Sequence, residues 1–447
     1  MQGTTLVQRV GKWINGRWPG LVGLAVLILL PGASGAADAK QQVTKPQRWA
    51  PCEPCNQPLG QARGICPGRV VWMHDPKAVQ WDGNPASGGW FEDKFTDPGR
   101  VEQMFSKSLC RLTNTKTDAE AWKALFRYYN RTRRRGDIAY RPGEKVAVKL
   151  NLNCSKRQAD PRQNMDITPQ LTRVLLRHLV KLVGVREADI VVCDPSRLMS
   201  DQIFLPVHQE FPGIRFEDRD GGEGRFKVQP DKTVALHFGD PSIPDSGKTY
   251  LPQCFTRATY LINAAVMKGH TLAGVTLCAK NHFGSVFREG AKPQDQRRGW
   301  DPSNMHETIT VRSRKMGTYN PMVDLMGHRD LGGKTVLYLI DGLYASGEQN
   351  SKLERWESSP FDGHWTASLF VFRIPWRSTR CSWTSLGLKK LPATCMARWT
   401  TTCTKPPWPT NRLPAPSTIR RATARRWRAW VSTSTGTIQS RSNTRGT

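Results

Sequence analysis

Acidic residues run out well before the chain does. All 37 Asp and Glu lie at or before Asp362, and none follows through Thr447. The formal net charge of +29 owes much to that absence. Fifteen of the 66 Lys and Arg fall from Phe372 onward; without them 51 basic residues face 37 acidic ones, a balance of +14. Setting aside Arg9, Lys12 and Arg17 as well leaves +11. A body this moderately basic does not by its charge point to nucleic acid. A basic tail that binds nucleic acid is one reading of residues 372–447, but no specific nucleic-acid partner is expected.

Long hydrophobic runs are also scarce. The only run suggestive of a membrane is Leu21 to Leu30, short for a bilayer span. Basic residues precede it and Ser34-Gly35-Ala36 follows, so residues 1–36 read as a secretory signal peptide, with an uncleaved anchor as the alternative. There is no twin arginine before the run, which favours general export. The expected location is periplasmic or extracellular, with no stable membrane span after signal removal. A ferredoxin-type cysteine run is missing too. Cys52 and Cys55 form a CxxC, with Cys66 and Cys110 further on. One reading is a metal or cluster site, the other a disulfide in a loop-rich segment; spacing does not fix the pairing.

What is present is a regular alternation of elements. Residues 37–140 form a Trp/Gly/Pro-rich region with a strand at Arg69–Met73 and helices over Asp97–Leu109 and Asp118–Asn130. From residue 141 the pattern is α/β. Lys145–Leu152 reads as a strand, with Lys149 and Asn151 on one face and Val146, Val148, Leu150 and Leu152 on the other. Thr168-Pro169 caps a helix running to about Val183. Further strands are expected at Asp189–Cys193, Ile214–Glu217, 258–267 and Lys334–Ile340, with helices at 200–211 and near Pro321–Gly327. Residues 219–250 suggest short antiparallel strands. The predicted fold is α/β: a mostly parallel sheet with helices on both faces, an irregular N-terminal segment and an unpacked C-terminal tail.

The stretch Lys268–Gly284, KGHTLAGVTLCAKNHFG, follows the apolar run Tyr260–Met267 and gathers lysines, histidines, an asparagine and glycines where open α/β sheets keep their sites. Other strands end in polar residues as well: Asn151 after Lys149, Asp194, and Asp341. Lys268, His270 and Lys280 are the candidate catalytic groups, as bases, proton carriers or anion binders. Lys149, Asn151, Asn281, Asp194 and Asp341 are candidate ligand-binding residues, with metal content and cofactor unknown. Cys278, among apolar residues, reads as core. Each lysine alone is as well explained as a solvated element end, and each histidine as a satisfied side chain.

The runs VKLNLN at 148–153, CDPS at 193–196, MKGHTLAGVTLCAKNHFG at 267–284 and LIDGLYA at 339–345 together resemble the domain of unknown function 362 family, over about residues 56–371. GICPGRVVWMHDPKAVQWDG at 64–83 looks like the N-terminal part of its exported members. The resemblance implies no particular reaction. The central stretch is also distantly similar to a segment of lactate racemase of the nickel-pincer type, where a histidine and a lysine serve the cofactor. The resemblance ends at Val371, where the composition changes. Back-translated with GC-rich codons and read two bases on, FRIPWRSTRCSWTSLG becomes PDPVAIDSVLLDFLG, which is what the resemblance implies after SLFV. Residues 372–447 are therefore expected to be a frameshifted tail without a consistent core. The function expected is an exported protein binding or converting a small anionic ligand, with or without a metal cofactor; a non-catalytic binding protein is the alternative.

Overall fold

The computed structural model describes residues 64–153, 156–158, 165–239, 249–270, 272–287, 320–348 and 352–373. The signal-peptide reading, the CxxC and the tail beyond residue 373 lie outside these.

Caps written in the sequence set the helices. Helix α1 (Pro98–Thr113) opens on Asp97, whose carboxylate accepts the N–H groups of Gly99 and Arg100 at 2.9 and 3.0 Å, with Pro98 in the first turn. It ends on Asn114 in the left-handed conformation. Helix α2 (Asp118–Thr132) opens with a reciprocal capping box between Thr117 and Glu120. Helix α3 (Pro169–Arg177) opens on Thr168-Pro169 and continues through a π-helical stretch, His178–Val183. Short helices follow: α4 (Asp201–Glu210), α5 (Gln253–Thr256), α6 (Cys278–Asn281) and α7 (Met322–Gly327).

The strands are β1 (Val70–His74), β2 (Val146–Lys149), β3 (Ile190–Asp194), β4 (Arg215–Asp218), β5 (Phe226–Lys227), β6 (Pro230–Ala235), β7 (Tyr250–Pro252), β8 (Tyr260–His270), β9 (Gly274–Thr276), β10 (Thr335–Ser346) and β11 (Ser368–Phe372). Nine form one sheet in the order β1-β11-β10-β8-β2-β3-β4-β5, with β9 folded back on β8; β6 and β7 pair separately. From β10 to β5 every pairing along the path is parallel. Strand β11 lies antiparallel between β10 and β1, so residues 37–140 contribute a strand to the same sheet. The chain builds outward from β2 through β3 and β4 on one side, then through β8 and β10 on the other. Strand order therefore reverses between β2 and β8, and the carboxyl ends at such a switch point are where open α/β sheets place their ligands.

Helices cover both faces, as the alternating pattern predicts. Phe105, Trp122, Phe126, Leu175 and Phe204 of α1 to α4 pack on the face bearing Val146, Val148, Ile262 and Ala264. Phe255, Cys278 and Leu325 of α5 to α7 pack on the face bearing Ala147, Leu261, Ala265 and Ile340. Such strands are buried on both sides, so they carry near-continuous apolar runs.

Three expectations are corrected. Strand β2 stops at Lys149, so Asn151 lies beyond it and does not share a strand face with Lys149. Strand β10 does not close at Asp341-Gly342 but runs on to Ser346, leaving Asp341 mid-strand. Phe372 is not part of an unpacked tail: it is the last residue of β11 and wholly buried.

Candidate functional site

Lys149, the last residue of β2, is level with Asn263 of β8 and Cys193 of β3. Its ammonium is fully buried and donates to the Leu150 carbonyl at 2.5 Å and to Asn281 Oδ1 at 3.0 Å, with Asp194 Oδ2 at 3.1 Å. Asp194 is itself satisfied. Oδ2 accepts the Leu152 N–H at 3.0 Å, and Oδ1 accepts the Ser196 N–H and hydroxyl at 3.0 and 2.9 Å. Gly284 closes over the pair. A Cβ there would lie 2.8 Å from Ser196 Oγ and 3.1 Å from both Asp194 Oδ1 and Lys149 Nζ. A buried charge pair needs this degree of hydrogen bonding to be tolerated.

Helix α6 delivers Asn281 onto the sheet. Its amide donates to Asn263 Oδ1 at 2.9 Å and to the Ala264 carbonyl at 3.3 Å, while its oxygen accepts from Lys149 and from Asn151 Nδ2 at 3.1 Å. Asn263 Nδ2 donates to the Cys278 carbonyl at 3.0 Å and to His282 Nε2 at 3.0 Å. His282 Nε2 thus accepts, and Nδ1 donates to Ser285 Oγ at 3.0 Å. Burial, with the charges of Lys149 and His328 adding, lowers the His282 pKa to about 3, so the ring stays neutral. The chain of amides also fixes Asn151. Its Nδ2 must face Asn281, which leaves its buried Oδ1 without a donor.

Lys268, near the end of β8, is held differently. Only 3% exposed, it donates to the Met165 carbonyl at 3.1 Å and has no carboxylate within ion-pair distance among the described residues. Burial lowers its pKa to about 8; Arg197 and Lys149 push the same way, while Asp166 and Asp194 oppose. His270 Nδ1 accepts the N–H groups of Leu272 and Ala273, both at 3.2 Å, so it closes the β8–β9 turn and carries its ring proton on Nε2. That tautomer offers a donor, not a metal-binding lone pair. Lys280 lies with its ammonium 4.3 Å from the centre of the Phe283 ring. Asp341 Oδ2 accepts the N–H and hydroxyl of Thr168 at 2.7 and 2.8 Å, and Oδ1 accepts the Leu343 N–H at 3.0 Å. Burial raises its pKa against those bonds. It anchors the start of α3.

The structure joins Lys149, Asn151, Asp194 and Asn281 by direct contact. Lys268 and Asp341 are linked to them through residues 165–168: Ile167 donates to the Asn151 carbonyl at 3.2 Å, Met165 accepts from Lys268 and Thr168 donates to Asp341. Asn263, Ser196 and Asp166 were missed. Asn263 had a signal, as the one polar residue within YLINAAVM; Asp166, in a polar loop, had none. Cys278 is core as expected, its thiol pKa raised by burial. Among the described residues no group of three or more His, Cys, Asp or Glu is placed to hold a metal ion. No described helix is long and apolar enough to cross a membrane.

Comparison with known proteins bears on residues 146–352, which match the family model described as Domain of unknown function (DUF362). All eight candidate residues fall within that span. No curated protein matches the chain.

Proposed function

We propose that this chain, whose residues 146–352 match that family's model, binds a small anion at the carboxyl edge of the sheet near the switch point between β2 and β8, with Lys268 as its cationic anchor. The observation that carries this reading is the ammonium of Lys268: buried, and among the described residues holding one hydrogen bond and no carboxylate partner. An ammonium has three donors, and a buried cation left unpaired is costly unless an anion joins it. Asn151 Oδ1 supplies the complement, an enclosed acceptor awaiting a donor. A carboxylate or phosphate that also bears a hydroxyl or amine answers both groups. The signal-like N-terminus supports an exported protein meeting this ligand outside the cytoplasm.

Thermal melts with a panel of small carboxylates and phosphates test the reading. At pH 7 a matching anion raises Tm in the wild type and not in Lys268→Met. The shift falls as pH rises past about 8, where Lys268 loses its proton. An anion that protects both proteins equally, or a panel that protects neither, overturns the proposal.

A second reading is catalytic. An amine titrating near pH 8 is suited to take a proton from a bound substrate. Turnover that follows a single ionisation near that pH, and that Lys268→Arg does not restore, would favour enzyme over binding protein.

A further inference from the structure

At the end of β11 two neighbouring residues behave oppositely. Phe372 fits its place. It is fully buried, lies opposite Val70 of β1 and Tyr338 of β10, and stacks on the Tyr338 ring with centres 5.5 Å apart and planes 5° from parallel. Arg373 does not. Its Nε is enclosed without a hydrogen-bond partner, as are those of Arg173 and Arg225, and the residue as a whole is half-buried; what sets it apart is that it lacks a carboxylate among the described residues. Its guanidinium lies 5.4 and 5.8 Å from the ring centres of Tyr128 and Tyr129, and no carboxylate pairs with it among the described residues. Burial lowers its pKa, and the nearby charge of Arg133 acts in the same direction. Other enclosed arginines of this chain are matched: Arg157 by Asp218, Arg225 by Asp201 and Arg173 by Asp93. Ring contacts offset part of the cost of enclosing a cation, but an unpaired guanidinium remains unfavourable.

We infer that the chain leaves its proper reading frame between Phe372 and Arg373, through the loss of one nucleotide. This places the break after Phe372, the residue that a pairing on each side and a ring stack identify as native to the sheet. One cytosine restored after a TTC codon for Phe372 gives FPDPVAIDSVLLDFLG. Some of the restored residue types do not depend on codon choice. Every Trp codon, TGG, read one base early becomes NTG, which encodes only Leu, Val or Met. The six tryptophans from Trp376 to Trp430 thereby become six apolar residues. Every Thr and Ile codon becomes one for Asp, Asn, His or Tyr, so a Thr-rich, acid-free stretch is what a frame containing acids looks like one base away. The restored reading places a proline where the unpaired guanidinium now sits. It continues Asp-Pro, the pair with which this chain opens α1 at Asp97-Pro98 and the turn at Asp75-Pro76. The fold's own continuation is thus a helix after β11. Because β11 is antiparallel to β10, the chain leaves it toward the amino ends of β8 and β10, away from Lys268 and His270. All the candidate site residues are encoded before the break.

The test compares the chain as it stands with the chain from a gene carrying one added cytosine. The restored protein melts higher by about 5 °C or more, given about 2–4 °C per kcal/mol for a domain of this size. A restored protein that melts no higher overturns the inference. An independent variant keeps the outcome clear if the restored chain fails to fold. In the chain as it stands, Arg373→Met removes the unpaired charge and raises Tm, whereas Arg373→Lys does not. A fall in Tm for Arg373→Met shows that the guanidinium belongs where it is, and overturns the inference equally.

Discussion

Two lysines lie toward the carboxyl edge of the same sheet and are treated in opposite ways. Lys149 is enclosed by a matched carboxylate, a carbonyl and an amide, under a glycine that leaves no room for a side chain. Lys268 is almost as buried but has one carbonyl and no anion among the described residues. Burial alone therefore says little about role. A buried cation whose partners come from the protein is accounted for by the fold; one with few partners among the described residues is where the proposed anion would bind. The comparison separates the candidate residues. Among the described residues Lys149, Asp194, Asn281 and Asp341 find their partners within the protein, while Lys268 and the oxygen of Asn151 find fewer.

The largest expected effect comes from breaking the closed side. Lys149→Met leaves Asp194 buried without its cation and costs about 3–5 kcal/mol of stability, read from urea unfolding. A loss below about 1 kcal/mol would erase the contrast between the two lysines. Asn281→Ala removes the acceptor shared by Lys149 and Asn151 together with the donor to Asn263, at about 2–3 kcal/mol by the same measurement. Gly284→Ala pushes a methyl group against Ser196, Asp194 and Lys149 and costs about 1–2 kcal/mol. On the open side the effect on folding is smallest. Lys268→Met stays within about 1 kcal/mol of wild type or exceeds it, because a methionine there leaves no charge to satisfy.

The pH dependence sharpens the same contrast. The pKa of Lys268 falls from 10.5 to about 8 on folding. Between those values the unfolded chain holds more protons than the folded one, so this residue makes stability rise with pH across that window. The rise should be present in wild type and absent in Lys268→Met when unfolding is followed from pH 7.5 to 10.

Much of the scaffold was legible because it rests on local chemistry. Thr168-Pro169 is a local helix-start signal and caps α3 here, and the apolar run at Tyr260–Met267 reads as a buried strand or a core helix. The site was legible as a set of residues but not as an arrangement. Asp341-Gly342 looks like a turn, yet pairing with β8 and β11 on either side carries β10 straight through it. Asn263 looks like a flaw in an apolar strand, yet it orients both Asn281 and His282.

The sequence alone determined the longer helices and the central parallel strands, which residue types meet the carboxyl edge of the sheet, and that the composition changes at Val371. Those properties depend on composition and on neighbours a few positions away. Only the tertiary structure decided which lysine is closed and which is open, and that Phe372 belongs to the sheet while Arg373 does not. A hydrogen bond from Lys149 to Asn281 spans 132 positions in the chain, and the rings beside Arg373, Tyr128 and Tyr129, come from α2. Whether a buried charge is satisfied is settled by groups that only folding brings together.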